Sequence, residues 1–174
     1  MLPLKEATKV KHDRAERMPF NNRMFKGQLS KAQYLLYLNQ QLPIFQTIES
    51  IGLPHDSLKR SSNIQEDIDE LTAEGIHADL MLKSTQAYVK YLGSLTYEQL
   101  LPHIYLNYLA IMFGGQIMKK TVPSSGRMYD FDAMQEALQS VRKVQKDAWA
   151  DEVNKGFDFA IQMFAELEDE CVKG

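Results

Sequence analysis

The chain of 174 residues carries 20 Lys and Arg against 23 Asp and Glu, a formal net charge of −3, which excludes a surface that is basic throughout, the footprint of a general nucleic-acid binder. A single cysteine, Cys171, excludes an internal disulfide framework and any cysteine-based zinc or iron–sulfur site, and four histidines leave a short list of other transition-metal ligands. At 44% hydrophobic and 25% charged residues, residues 1–174 are expected to form a single globular domain with a sizeable core.

The opening Met1-Leu-Pro-Leu-Lys-Glu-Ala-Thr-Lys9 places charges where a secretory signal needs an apolar run. The most apolar stretch, Ile104 to Phe113, is about half of the roughly 20 residues that a membrane span requires. Neither a membrane nor a nucleic acid is therefore expected as a partner, and the expected location is cytoplasmic.

In the first predicted helix Leu4, Thr8, His12 and Ala15 share a face while the other positions are mostly charged, so His12 is expected to point inward. A core histidine bonded to a backbone carbonyl is the plain alternative. Glu16, four residues on, is in reach of His12 and can accept Nδ1–H, which orients the ring and leaves Nε2 as a metal ligand. Lys5 and Lys9 form a cationic ridge beside that face.

Ser30 and Gln33 make a capping box ahead of an apolar stripe of Leu35, Leu38, Leu42, Phe45 and Ile48. A shorter stripe runs from Ile76 through Leu80, Ala87 and Tyr91 to Gly93, and Glu66–Glu70 reads as a solvated acidic face. Segments 52–56, 60–63 and 122–126 read as loops. Residues 101–120 are apolar on nearly every side, predicting burial on nearly every side, yet they contain Gly114-Gly115, each costing roughly 1 kcal/mol relative to Ala in a helix. A kink, a close backbone approach or room for a bulky ligand would explain the pair. The final stripe comprises Trp149, Val153, Phe157, Ala160, Ile161, Phe164 and Leu167. The expectation is six or seven helices and no sheet, an all-α, compact multi-helix fold with a kinked helix at the glycine pair. Of the remaining histidines, His55 reads as a solvent-exposed loop residue, His77 as near a helix start, and His103, beside Pro102, as a surface or capping residue.

A carboxylate-held imidazole beside cations and opposite a glycine-containing apolar helix suits a haem site: one axial His for iron, a thin slot for the macrocycle and Lys, Arg or Tyr for the propionates. At these residues the sequence resembles a known family. Leu4-Lys-Glu-Ala-Thr-Lys9-Val-Lys-His12-Asp-Arg-Ala-Glu16 resembles the opening helix of biliverdin-producing haem oxygenases, and Phe25-Lys-Gly-Gln28 their next signature. His103 to Gln116 is similar to their distal helix, and Phe157 to Leu167 to their last one.

The resemblance implies a haem-oxygenase-like fold in which haem b is both substrate and cofactor. It implies His12 as proximal iron ligand, Glu16 as acceptor behind it, and Lys5, Lys9 and Tyr105 as propionate contacts, with Arg142 and behind it Lys146 as a further basic contact. Gly114 and Gly115 would let the distal backbone approach the porphyrin, and Phe157 would line the pocket. The family's distal Asp falls here at Ile111 and its small neighbour at Ala110; Asn107, one turn earlier, is the first candidate to hold a water in its stead, ahead of Gln116 and the Gly114 carbonyl. No flavin, iron–sulfur or nicotinamide motif is visible, so electrons are expected from a ferredoxin or another reductase, acting on a monomer. The alternatives are a non-catalytic haem carrier or sensor, favoured by Ile111, and a helical di-metal oxidase, for which residues 104–116 supply no carboxylate.

Overall fold

In a computed structural model, which describes residues 1–173, the chain folds into nine α-helices: α1 (Leu4–Ala7), α2 (Lys9–Glu16), α3 (Pro19–Phe25), α4 (Lys31–Ile51), α5 (Ser61–Ala73), α6 (Lys83–Gly93), α7 (Tyr97–Thr121), α8 (Met134–Arg142) and α9 (Ala150–Lys173). Single 3-10 turns lie at Asp56–Leu58, Arg127–Tyr129 and Asp147–Trp149, and no strand forms among the described residues. α7 and α9 pack together; α2 and α3 lie against α9, α8 against α7, and α4 carries α5 and α6. The starts of the two longest internal helices are explained locally. Ser30 Oγ accepts from Gln33 N at 3.1 Å while Gln33 Oε1 accepts from Ser30 N at 3.0 Å, and Thr96 and Gln99 repeat the arrangement ahead of α7.

Nine helices form rather than six or seven partly because the first expected helix is interrupted. Thr8 is buried and its Oγ1 donates to the Leu4 carbonyl at 2.9 Å, and Pro19 opens a separate short helix. The stripe from Ile76 to Leu82 is not helical before Lys83. Here the buried Gln40 amide serves extended backbone instead, donating to Leu80 O at 2.7 Å and accepting from Leu82 N at 3.0 Å. Residues 61–63 are helix rather than loop because the Glu49 carboxylate, reaching over from α4, accepts from Arg60 N at 2.9 Å and from Ser61 Oγ at 2.6 Å.

The acidic run is not uniformly solvated. Asp67 is fully buried and accepts from Arg127 N at 3.0 Å and Met128 N at 2.8 Å, which pins the chain after α7. Burial pushes its carboxyl up from the ordinary range. α7 runs as one helix through Gly114-Gly115. Gly115 serves a close approach: a Cβ there would lie 2.8 Å from Cδ1 of Tyr129, a buried ring that packs onto the helix backbone.

Replacing Asp67 by Ala strands two backbone N–H groups and is expected to destabilise the fold by roughly 2 kcal/mol or more, measured by urea unfolding. An unchanged midpoint would show that the tie is dispensable.

Candidate functional site

Residues 152–158 of α9 join two walls. On one side Asn154 Nδ2 donates to Ala7 O at 3.2 Å, Asp158 pairs with Lys11 at 2.7 Å, and Phe157 meets the His12 ring edge-on at 5.8 Å. On the other side Gly156 lies against Leu106 and His103 of α7, closely enough that a Cβ there would collide with the Leu106 side chain.

On the first wall Leu4, Thr8 and Ala15 are buried as the shared face predicts, but the His12 side chain is 57% exposed. It stands at the margin of α2 rather than pointing inward. Its Nδ1 lies 3.2 Å from Asp13 Oδ1 and 3.8 Å from Glu16 Oε2, so the expected acceptor, Glu16, is displaced by Asp13. Hydrogen bonds from Lys9 and then from His12 hold the Asp13 carboxyl below its ordinary range. An ionised carboxylate only accepts, so Nδ1 is the donor in this contact, and in the neutral ring Nε2 is the nitrogen left for a metal. Lys9 is paired to Asp13 at 2.7 Å rather than forming an open cationic ridge.

The second wall is the C-terminal half of α7, where burial on nearly every side is not realised. Phe113 is 59% and Ile117 56% exposed, and Ala110 is exposed beside Ile117, about 20° away round the helix. Asn107, Ala110, Gly114 and Ile117 follow at three- and four-residue steps and so lie on one side of the helix. Ile111 and Met118, four residues after Asn107 and Gly114, flank this stripe but are buried, and Met112 is buried on the opposite side. Phe25 of α3 stands beside Gly114, 3.6 Å from where a Cβ would be, and Thr121 Oγ1 donates to Met24 O at 2.9 Å, anchoring α3 to the end of α7.

A polar edge runs along the 147–149 turn. Asp147 Oδ1 accepts from Leu4 N at 2.9 Å, which places the neighbouring Lys5 there, and Lys146 precedes the turn. Trp149 packs edge-on against Tyr105 at 6.3 Å, and the Arg142 guanidinium lies 5.7 Å from the Phe113 ring. Burial raises the Tyr105 phenol, and the charge of Arg142 opposes that shift. The structure thus brings Tyr105, Arg142, Lys5 and Lys146 to one region. Gln116 is exposed, and Lys119 is paired with Asp130.

Sequence reasoning missed the polar cluster behind this wall. His103 is completely buried, not a surface or capping residue. Its Nδ1 is 2.7 Å from Tyr88 Oη and its Nε2 2.9 Å from Glu152 Oε1. Asn107 Nδ2 donates to Tyr88 Oη at 3.0 Å and to His103 O at 2.8 Å, and Tyr91 donates to Glu152. The i, i+4 spacing of His103 and Asn107 was the available signal. Among the described residues the only cluster of three His, Cys, Asp or Glu side chains able to share a metal is His12, Asp13 and Glu16, so a second carboxylate set for a di-metal centre is missing.

Comparisons with known proteins agree in direction. A family model described as Heme oxygenase matches residues 2–155. Rabbit (Oryctolagus cuniculus) Heme oxygenase 2 is 27% identical over 206 residues, covering 95% of this chain; the chain spans 65% of that protein's length. Heme oxygenase 1 of the cyanobacterium Synechocystis is 23% identical, covering 98% of this chain and 85% of that one. The crystal structure of the Synechocystis heme oxygenase-1 in complex with heme superposes with a TM-score of 0.78 at 23% identity, over 98% of this chain and 92% of that one. The Leptospira interrogans heme oxygenase structure gives 0.75 at 22% identity, over 94% and 97%. The fold is shared with both.

The buried pair makes stability pH-dependent. Burial, partly offset by Glu152, depresses the His103 pKa below its ordinary 6.5. Partial burial pushes Glu152 up, but the hydrogen bonds from His103 and Tyr91 together outweigh it and leave the carboxyl below its ordinary range. An unfolded His103 therefore takes a proton where the folded one does not, so stability is full above about pH 6.5 and is lost as pH falls through the depressed pKa. Glu152 extends the loss to lower pH. Urea unfolding from pH 8 to pH 5 is expected to show this decline, and His103→Gln to flatten its upper part, about pH 6.5 downward; an equal slope in both proteins would contradict the assignment.

Proposed function

Because the chain belongs to the haem oxygenase family, we propose that it opens haem to biliverdin in an oxygen-dependent reaction, releasing CO and ferrous iron. The observation that carries this reading is the uncovered apolar stripe of α7, with Phe113 and Ile117 more than half exposed beside Gly114. Each such side chain, a little over half exposed, forgoes roughly half of the ~1.5–3 kcal/mol that full burial contributes. A flat apolar ligand covers them; a compact polar one does not.

The residues fit haem on three counts. His12 offers an accessible Nε2, with Asp13 accepting at Nδ1 and the perpendicular Phe157 ring limiting its rotation. Ala110, Phe113, Gly114 and Ile117 provide an apolar face that excludes water from the bound macrocycle. Lys5, Lys146, Arg142 and Tyr105 supply charges and a hydroxyl for two propionates, and Lys9 joins them if it exchanges Asp13 for a propionate; an exposed ion pair of that kind is worth little. When bound, haem supplies the iron that activates dioxygen and the ring that is cut. The protein's part is to hold and orient it, to keep the site dry and to place a water beside it, with Asn107 as the side chain for that task. Electrons come from a ferredoxin or another external reductase, drawn to the same basic edge.

No helix among the described residues is long and apolar enough to cross a membrane. We take residues 1–174 as one domain acting as a monomer in the cytoplasm. The second reading, a haem carrier or sensor, is favoured by one observation: buried Ile111 offers no polar group where the family has an acid.

Purified protein given haem, a reductase system and oxygen is expected to lose its Soret band and yield a bilin. Recovery of intact haem after repeated reduction would establish the carrier instead. His12→Ala is expected to abolish the histidine-ligated spectrum. Asp13→Ala is expected to weaken haem binding by about 10-fold or more and Glu16→Ala by less; the reverse order would restore Glu16 as the orienting group.

A further inference from the structure

The hydrogen bonds around His103 have a direction. Both hydrogens of the Asn107 amide are committed, one to the His103 carbonyl and one to Tyr88 Oη. The Tyr88 hydroxyl, accepting from Asn107, donates its own hydrogen to His103 Nδ1, so the imidazole carries its proton on Nε2 and donates it to Glu152. Glu152 also accepts from Tyr91, whose hydroxyl in turn accepts from Lys155 at 3.3 Å. Every link runs toward the Glu152 carboxylate, and reversing the Asn107 amide would set its oxygen against the His103 carbonyl. Asn107 Oδ1 has no protein partner and is not fully buried. Asn107 lies on the same side of α7 as Ala110 and Gly114.

We propose that Tyr88, His103 and Glu152 are positioning residues that lock the Asn107 amide with Oδ1 turned, as a fixed acceptor, toward the haem-facing side of α7. The proposal rests on the haem-binding reading above. A water held by Oδ1 donates one hydrogen to it and keeps the other to offer to the ligand side. The chain thereby regains, one turn before Ile111, the acceptor that an apolar side chain cannot supply. The surface end of the series, Lys155 and Tyr91, neutralises and tethers Glu152 so that its carboxylate stays available to His103.

The test begins without haem. Nitrogen-15 NMR of the apo-protein is expected to show His103 protonated at Nε2 alone. It should also show two Asn107 side-chain amide protons that exchange slowly with solvent. Tyr88→Phe, which removes one oxygen, should speed that exchange by about tenfold, the factor that one hydrogen bond of ordinary net strength carries. In the haem-loaded ferric protein, Asn107→Leu should shift the optical acid–alkaline transition, and Tyr88→Phe should shift it in the same direction by less. A proton on His103 Nδ1, unchanged exchange in Tyr88→Phe, or an unmoved transition in Asn107→Leu each overturns the proposal. The tautomer is read on the wild type, so a Tyr88→Phe protein that fails to fold does not shield it. A wild-type protein that takes up no haem overturns the functional reading and, with it, the presentation of Oδ1 to haem; the apo-protein spectra distinguish that failure from loss of the lock.

Discussion

The close approach of α9 to α7 at Gly156 governs the geometry of everything around it. With no side chain at that position, Leu106 and His103 of α7 come directly against the α9 backbone. Glu152, one turn earlier on nearly the same side of α9, then reaches His103, while Phe157, about 100° further round the helix, is turned toward His12. One contact therefore sets both the depth of the buried polar series and the seat of the exposed imidazole. Packing at native density leaves no slack for this to be adjusted elsewhere, since a wider spacing here would loosen both walls together.

Charge is distributed to the same end. The formal charge of −3 conceals a division of labour among carboxylates. Asp13 is spent on His12 and Lys9, Asp147 on the backbone of Leu4, Glu152 on His103 and Tyr91, Glu49 on the start of α5, and Asp67 on the turn after α7. Among the described residues no carboxylate lies within ion-pair distance of Lys5, Arg142 or Lys146, so the region around Tyr105 keeps an excess of positive charge over the single Asp147 carboxylate bonded there to Leu4 N. That is the arrangement that favours a ligand bearing carboxylates and an acidic partner over a neutral one.

Periodicity made α9 legible because it buries a stripe against neighbours on one side and shows the other to water; α4 was legible from its Ser30–Gln33 capping box and apolar spacing, although Tyr34 to Leu38 are buried all round the helix. The candidate ligand His12 was legible through a motif. What escaped the sequence came from partners distant in the chain. Glu49 caps a helix that local residues do not cap, Gln40 replaces a helical turn with side-chain bonds to extended backbone, and Tyr129 makes Gly115 a packing glycine. Asp13 outranks Glu16 at His12 Nδ1 by 3.2 Å against 3.8 Å, a difference that no spacing rule resolves. His103 looked peripheral because Pro102 beside it suggests a helix start, but Thr96 caps α7 six residues earlier and the histidine falls within the buried part of the rod.

Ile111 separates two kinds of constraint that a single motif position would otherwise merge. It is buried, on the side of α7 that serves the core, so an acid there would need either a buried partner or a rotation of the helix. Neither is available: the neighbouring buried positions Met112 and Met118 are apolar, and Gly115 is held against Tyr129. Asn107 has the opposite surroundings, with a carbonyl and a phenol to satisfy its amide hydrogens and an oxygen that is not fully buried. A polar group on this face is therefore stable only where the Tyr88–His103–Glu152 series can support it, and that requirement moves it one turn back along the helix from the site of the missing acid.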